Sequence, residues 1–210
     1  MKLYTFEPAP NPMRLDLFLK YKGVSLDTTQ VNLMKAEHLR DEYRAIVPAM
    51  TVPALVLEDG VILTEVIGIC AFLEETFPQK PLMGTTALER AQVISWDHRL
   101  YLDLLGAIAE TFRNANPVFA NRALPGPVPI EQIPALAERG RFRLGEMWKA
   151  MDAVLADREW LVGDSLTFAD IDMVACESFS GWIEAQPDPA LANLQAYLSR
   201  AKAELGLAAA

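Results

Sequence analysis

The sequence predicts a small α/β domain followed by an all-helical one. Three observations carry that fold class. Residues 1–77 change hydrophobic period repeatedly, whereas beyond residue 86 only the helical period recurs. Two apolar runs flank Asp59-Gly60, a pair favoured in the tight turn of an antiparallel hairpin. The stretch "PQKPLMGTT" (78–86) then has the composition of a linker, and composition shifts near residue 80. The predicted domains are 1–78 and 87–210.

The first domain opens with "KLYTF" (2–6), β-branched and aromatic enough for a strand. "PMRLDLFLKYKG" (12–23) follows, with apolar residues 15, 18 and 19 at helical spacing. Pro12 suits the first helical position and Asn11 the cap before it, while Gly23 sits where a left-handed residue closes a helix. "LDTTQVNL" (26–33) is a weakly alternating strand, and "AEHLRDEYRAI" (36–46) a short amphipathic helix. "PALVLEDGVILTE" (53–65) is the hairpin, with a type I′ turn expected at Asp59-Gly60. "EVIGICAFLEETF" (65–77) is a helix with apolar positions 66, 69, 70, 73 and 77, stopped by Pro78. The predicted order is βαβαββα, with the first strands joined through a helical crossover.

The second domain holds no convincing strand. "ALERAQVISWDHRLYLDLLGAIAETFRN" (87–114) is predicted as one long helix, and "LPGPVP" (124–129) as a proline-rich loop. A second long helix covers 131–157, where Gly140 and Gly145 mark either weakness or close helix contacts. A third covers 165–185 and opens with a capping box, Thr167 at the cap and Asp170 three residues on. Leu166 and Ile171 stand as its hydrophobic staple. A shorter helix, 190–204, follows "QPDP".

Composition excludes several classes of function. Nineteen basic residues against 28 acidic give a net charge of −9, with no basic run, which disfavours nucleic acid and anionic membranes. No apolar run approaches the roughly 18 residues of a membrane span, and the N-terminal stretch lacks a signal-peptide pattern. The expected location is cytoplasmic. Cys70 and Cys176 lie in apolar helical contexts outside any C-x-x-C and read as buried reduced thiols. His38 and His98 are isolated, so no metal is expected. Neither phosphate-loop nor dinucleotide fingerprint is present, so no nucleotide is expected either.

The order of "KLYTF…APNPMRLDLFLKYKG", "EHLRDEYRAIVPAMTVPAL", "LEDGVILTE" before "ICAFLEETFP", the long first helix of the second domain, and "GDSLTFAD" (163–170) resembles the glutathione transferase family over nearly the whole chain. The resemblance implies a thioredoxin-like N-terminal domain, an all-α C-terminal bundle, a homodimer, and glutathione held mainly by the first domain. Val52-Pro53 matches the family's cis-proline bond, leaving Val52 to pair with the cysteinyl unit of glutathione as an added strand. The start of the helix at 65–77 would hold the γ-glutamyl carboxylate, with Glu65 accepting from its ammonium group. His38 and Lys35 match positions that meet the glycyl carboxylate; for His38 a solvated helix residue is the other reading.

Many family members carry a Ser or Cys where this chain has Ala9. Two residues on, Asn11 matches the Asn of nu-class and related enzymes, which lies beside the glutathione sulfur. A free thiol with a pKa of about 8.5 is only a few per cent ionised at pH 7, and lowering it by about two units needs roughly 2.7 kcal/mol of thiolate stabilisation. An amide donor at a helix N-terminus suits that task. Tyr4 is the rival donor, although its place inside the first strand also fits a core role. The usual Ser after Glu65 is Val66 here, which removes one side-chain donor. The second substrate, a hydrophobic electrophile or a disulfide, is expected between the domains near Tyr101, Leu105, Ile108 and Phe112; a plain core stripe explains the same spacing. The implied activity is glutathione transfer, with glutathione-dependent disulfide reduction or a non-catalytic binding dimer as alternatives.

Overall fold

The computed structural model describes residues 1–207. They form two compact units, one of Met1–Pro81 with Leu124–Pro129, the other of Leu82–Ala123 with Ile130 onward.

The first unit is built on a four-stranded sheet in the order β2-β1-β3-β4. Strand β1 (Lys2–Thr5) pairs in parallel with β2 (Asp27–Gln30) and antiparallel with β3 (Ala54–Val56), which pairs antiparallel with β4 (Ile62–Leu63). Helix α1 (Pro10–Lys22) makes the crossover between β1 and β2. Alternation along β1 separates the two faces of the sheet. Tyr4 and Ala54 are register partners and join Val31, Tyr43 and Val47 in one cluster, carried partly by helix α2 (Asp41–Ile46). Leu3 and Leu55 point to the opposite face. Helix α3 (Val66–Thr76) packs against α1, and Leu15, Phe18, Ile69 and Leu73 are fully buried. The Lys22 ammonium is sealed at this junction, 2.8 Å from the Glu74 carboxylate, and also donates to the carbonyls of Gln79 and Lys80.

Several local expectations are corrected here. Helix α1 begins at Pro10, not Pro12, because Ala9 is extended and its carbonyl accepts from the Met13 N–H at 2.9 Å. Ala9 is therefore the cap, and Asn11 lies inside the first turn. The helix expected at 36–46 breaks into two 3-10 turns, Leu33–Lys35 and Glu37–Leu39, before α2. Ala36 between them is left-handed and Arg40 is extended. The hairpin turn is not type I′. Gly60 alone has positive φ, the Gly60 N–H bonds Leu57 O, and Leu57 N–H bonds Val61 O, which is a type I turn closed by a glycine bulge.

The second unit is helical. Helix α4 (Ala87–Leu100) runs into a π turn, Tyr101–Leu105, and continues as α5 (Gly106–Ala115). The Gly106 N–H reaches back five residues to Tyr101 O, and the Leu102 carbonyl takes a 2.7 Å hydrogen bond from Arg143. A Cβ at Gly106 would lie 2.9 Å from Tyr101 O, so the absent side chain permits the wider turn. Helix α6 (Pro134–Val154) crosses α5 at Gly140, where a Cβ would meet Thr111 Oγ1 at 2.4 Å and Ala107 O at 2.6 Å. No such contact exists at Gly145, where a Cβ would meet nothing. Helices α7 (Phe168–Ser180) and α8 (Ala192–Glu204) complete the unit. Cys70 and Cys176 are both buried and neither is in a disulfide. Among the described residues no helix is long and apolar enough to cross a membrane.

Candidate active site

The sheet register brings to one edge the strand ends that lead to the sequence-predicted residues of the first unit. Strand β1 runs toward Thr5, and the loop after it delivers the N-terminus of α1 with Asn11. Parallel β2 ends at the same level, since Gln30 is the partner of Thr5, and the chain goes on to Lys35 and His38. Antiparallel β3 starts there, with Ala54 beside Tyr4, so Val52 and Pro53 enter at that edge. Strand β4 finishes there too, Leu63 beside Leu55, and leads to Glu65 and Val66 at the head of α3. Three hydrogen bonds hold this edge together. Val31 N–H donates to Thr5 O at 2.7 Å, Glu7 N–H to the Gln30 side chain at 3.2 Å, and Gln30 Nε2 to Glu7 at 3.0 Å.

Asn11 is half-buried, and its Oδ1 accepts from the Arg14 guanidinium at 3.0 Å. Prolines on both sides have no N–H, so the main-chain donors in the first turn of α1 are few. The Val52–Pro53 bond is cis, and among the described residues neither the N–H nor the C=O of Val52 takes part in a backbone hydrogen bond. Tyr43 pins the segment before it by donating from its hydroxyl to Thr51 O at 2.6 Å. Burial first, and then neighbouring Tyr4, hold that hydroxyl well above the ordinary tyrosine pKa, so it remains a donor.

Glu65 is exposed and holds φ 62°, ψ 123°, outside the left-handed helical region and costly for a non-glycine residue. Such backbone persists where its surroundings impose it, and clusters at ligand-binding sites. Val66 begins α3 with its side chain buried beside Ile69, Cys70 and Leu73. Lys35 is exposed in a 3-10 turn and His38 is half-buried in the next. Tyr4 meets Tyr43 edge-to-face at 6.0 Å within the α2-side cluster.

In the helical unit the four residues named for a second substrate do not share one environment. Leu105 and Ile108 are core, whereas Tyr101 is half-exposed. The π turn accounts for the split, since four-residue spacing across it no longer keeps side chains on one helical face. Phe112 sits in an aromatic group with Phe119, Phe179 and Trp182, ring centres 5.1–5.8 Å away. Sequence reasoning passed over three features: Arg14, the π turn and the Phe112 group. Gly106 inside a good helical pattern was the available signal for the second.

A thioredoxin-like domain with this edge, followed by a helical domain, defines the class of two-domain glutathione-using proteins. The glutathione S-transferase N-terminal domain family matches residues 9–76, and the C-terminal domain family matches 116–204. Glutathione S-transferase F10 of Arabidopsis thaliana is 34% identical over 158 residues, 71% of this chain and 67% of that one. Glutathione S-transferase 2 of Saccharomyces cerevisiae is 28% identical over 202 residues, 95% of this chain and 84% of that one. The crystal structure of a glutathione S-transferase domain-containing protein from Marinobacter aquaeolei VT8 superposes with a TM-score of 0.86 at 29% identity, covering 97% and 98% of the two chains. The chain belongs to the glutathione S-transferase family.

Proposed function

We propose that this protein is a glutathione transferase in which Asn11 stabilises the glutathione thiolate for attack on an electrophilic small molecule. The observation that carries the reading is the Asn11 amide at the head of α1. Its oxygen is already engaged, so its NH2 group is the side available to an anion. Val52 offers an unused main-chain N–H and C=O for the cysteinyl unit. The head of α3 at Glu65 and Val66 suits the γ-glutamyl end by dipole and main-chain N–H, while Lys35 and His38 suit the glycyl carboxylate.

The step is a nucleophilic displacement. The thiol proton leaves to solvent, the thiolate sulfur bonds to the electrophilic carbon, and the leaving group departs with the electron pair. Asn11 transfers no proton; it donates a hydrogen bond that lowers the cost of the sulfur anion. The same thiolate attacking one sulfur of a disulfide would form a mixed disulfide with glutathione and release the other sulfur as a thiolate. A second glutathione attacking the mixed disulfide would complete the reduction and leave as glutathione disulfide. An apolar second substrate is assigned to Tyr101 and Phe112, whereas Leu105 and Ile108 belong to the core. A cytoplasmic homodimer is part of this reading.

The test is the pKa of bound glutathione, followed by thiolate absorbance. Asn11→Ala is expected to raise it by about one pH unit or more, with rates of conjugation falling in parallel below that pKa. An unchanged pKa refutes the role of Asn11. Parallel assays with an aryl halide and with a mixed glutathione disulfide separate transfer from reduction.

A further inference from the structure

We infer that Arg14 is a positioning residue for thiol activation, its buried guanidinium fixing the Asn11 amide so that the NH2 group is the face presented to the sulfur. The inference rests on the proposed role of Asn11 and adds a residue that does not itself touch glutathione.

The reasoning begins with what α1 lacks. An ordinary helix exposes several main-chain N–H groups at its start, and together these attract anions. Here the first and third helical positions are Pro10 and Pro12, which have none, and the Met13 N–H is taken by Ala9 O at 2.9 Å. Of the residues from Pro10 to Met13, only Asn11 keeps a main-chain N–H outside the helical ladder. The prolines thus strip this end of its usual donors, and a side-chain donor gains in weight.

An asparagine amide can turn either end toward a ligand, since its oxygen and nitrogen differ little in size. Arg14 removes that freedom. A guanidinium has only donors, so the atom facing it at 3.0 Å must be the amide oxygen. The two residues are three apart on one helix, which brings their side chains onto a common face. Arg14 is 5% exposed and has further contacts of its own, so its head is held in place and cannot swing to water. With the oxygen held, the NH2 group is directed away from Arg14. The cation also draws density from the amide carbonyl and strengthens the N–H as a donor. A neutral amide positioned in this way can favour a sulfur anion without offering a competing acceptor.

The experiment is a double-mutant cycle read by the pKa of bound glutathione in wild type, N11A, R14M and N11A/R14M. N11A is expected to raise the pKa by about one pH unit, R14M by at least half as much, and the double variant no further than N11A. An R14M shift that persists in the N11A background means that Arg14 acts on the sulfur by its own charge, and overturns the inference. So does an R14M protein with the wild-type pKa. If N11A itself leaves the pKa unchanged, the proposed role of Asn11 fails, a result distinct from either. Should R14M not fold, R14Q keeps a hydrogen-bond donor without the charge. Its shift is expected to be smaller than that of N11A and absent in the N11A background, and additivity overturns the inference there as well.

Discussion

Two helices of the second unit begin with the same device in opposite surroundings. At the start of α4, Thr86 accepts from Glu89 N–H, and the Glu89 carboxylate accepts from Thr86 N–H, Thr85 N–H and the Thr85 hydroxyl, all at the surface. At the start of α7, Asp170 accepts from Thr167 N–H at 2.7 Å and the Thr167 hydroxyl at 3.0 Å. Asp170 is fully buried, and it also accepts from Leu161 N–H at 3.0 Å and the Tyr197 hydroxyl at 2.6 Å. One carboxylate closes a helix end; the other ties α7 to α8 and to the segment before α7.

The surroundings also reverse the electrostatics. The Thr85 hydroxyl and then the N–H groups of Thr85 and Thr86 hold Glu89 below the usual glutamate pKa. Burial pushes Asp170 above the usual aspartate value, although the donors from Tyr197, Leu161 and Thr167 pull the other way. The stabilisation from Glu89 is therefore present above its ordinary pKa and lost as pH falls through its lowered folded value. For Asp170 the sign is opposite: its contribution is present in acid and declines as pH rises through its elevated folded value. Motif identity does not set the pH response; burial does.

The largest effect expected is from Asp170→Ala, which orphans buried donors on Leu161, Thr167 and Tyr197 together. A loss of about 3–4 kcal/mol in urea unfolding is expected, well beyond the roughly 1 kcal/mol of an ordinary cap. A loss no larger than that of a simple cap would erase the contrast between the two boxes. Tyr197→Phe removes one of the four partners and should cost about 1–2 kcal/mol. In the Asp170→Ala background it should cost less, because the hydroxyl no longer has its acceptor.

The smallest effect belongs to the exposed box. Glu89→Gln should lower the melting temperature at pH 7 by only about 1–2 °C, and the difference from wild type should shrink as pH falls through the lowered Glu89 value. Amide exchange sharpens the comparison further. Protection at Thr85 and Thr86 should fall as the solution is acidified through the Glu89 titration, while Leu161 and Thr167 stay protected. Loss at both sites together would mean that the two helix ends open as one unit.

The two boxes also differed in legibility. The pattern at Thr167 and Asp170 lies in "GDSLTFAD" and is legible there as a capping box, which the 2.7 Å bond from Thr167 N–H to Asp170 bears out. Thr86 and Glu89 carry the same three-residue spacing but sit at the end of a linker, where the proline-rich composition drew the reading instead. Asn11 shows the converse error. Its identity is that of a good cap, yet Pro10 claimed the first helical position and Ala9 became the cap by backbone geometry alone. The hairpin was legible from Asp59-Gly60, but the turn type was not, because only Gly60 takes a positive φ.

The sequence by itself determined most of the strands and the longer helices, because hydrophobic period, proline and glycine act over a few residues. It also supplied the types of residue proposed to meet glutathione. Only the tertiary structure decided which segments share an edge. Register among four strands brings the ends of β1 and β2 level with the start of β3 and the end of β4, next to the segments that carry Asn11, Lys35, His38, Val52 and Glu65. It alone turned the Asn11 amide toward Arg14, opened the π turn at Tyr101–Leu105, and surrounded Asp170 with Leu161 and Tyr197. Those outcomes depend on which atoms from distant positions compete for one donor or one space, and local pattern carries no record of that competition.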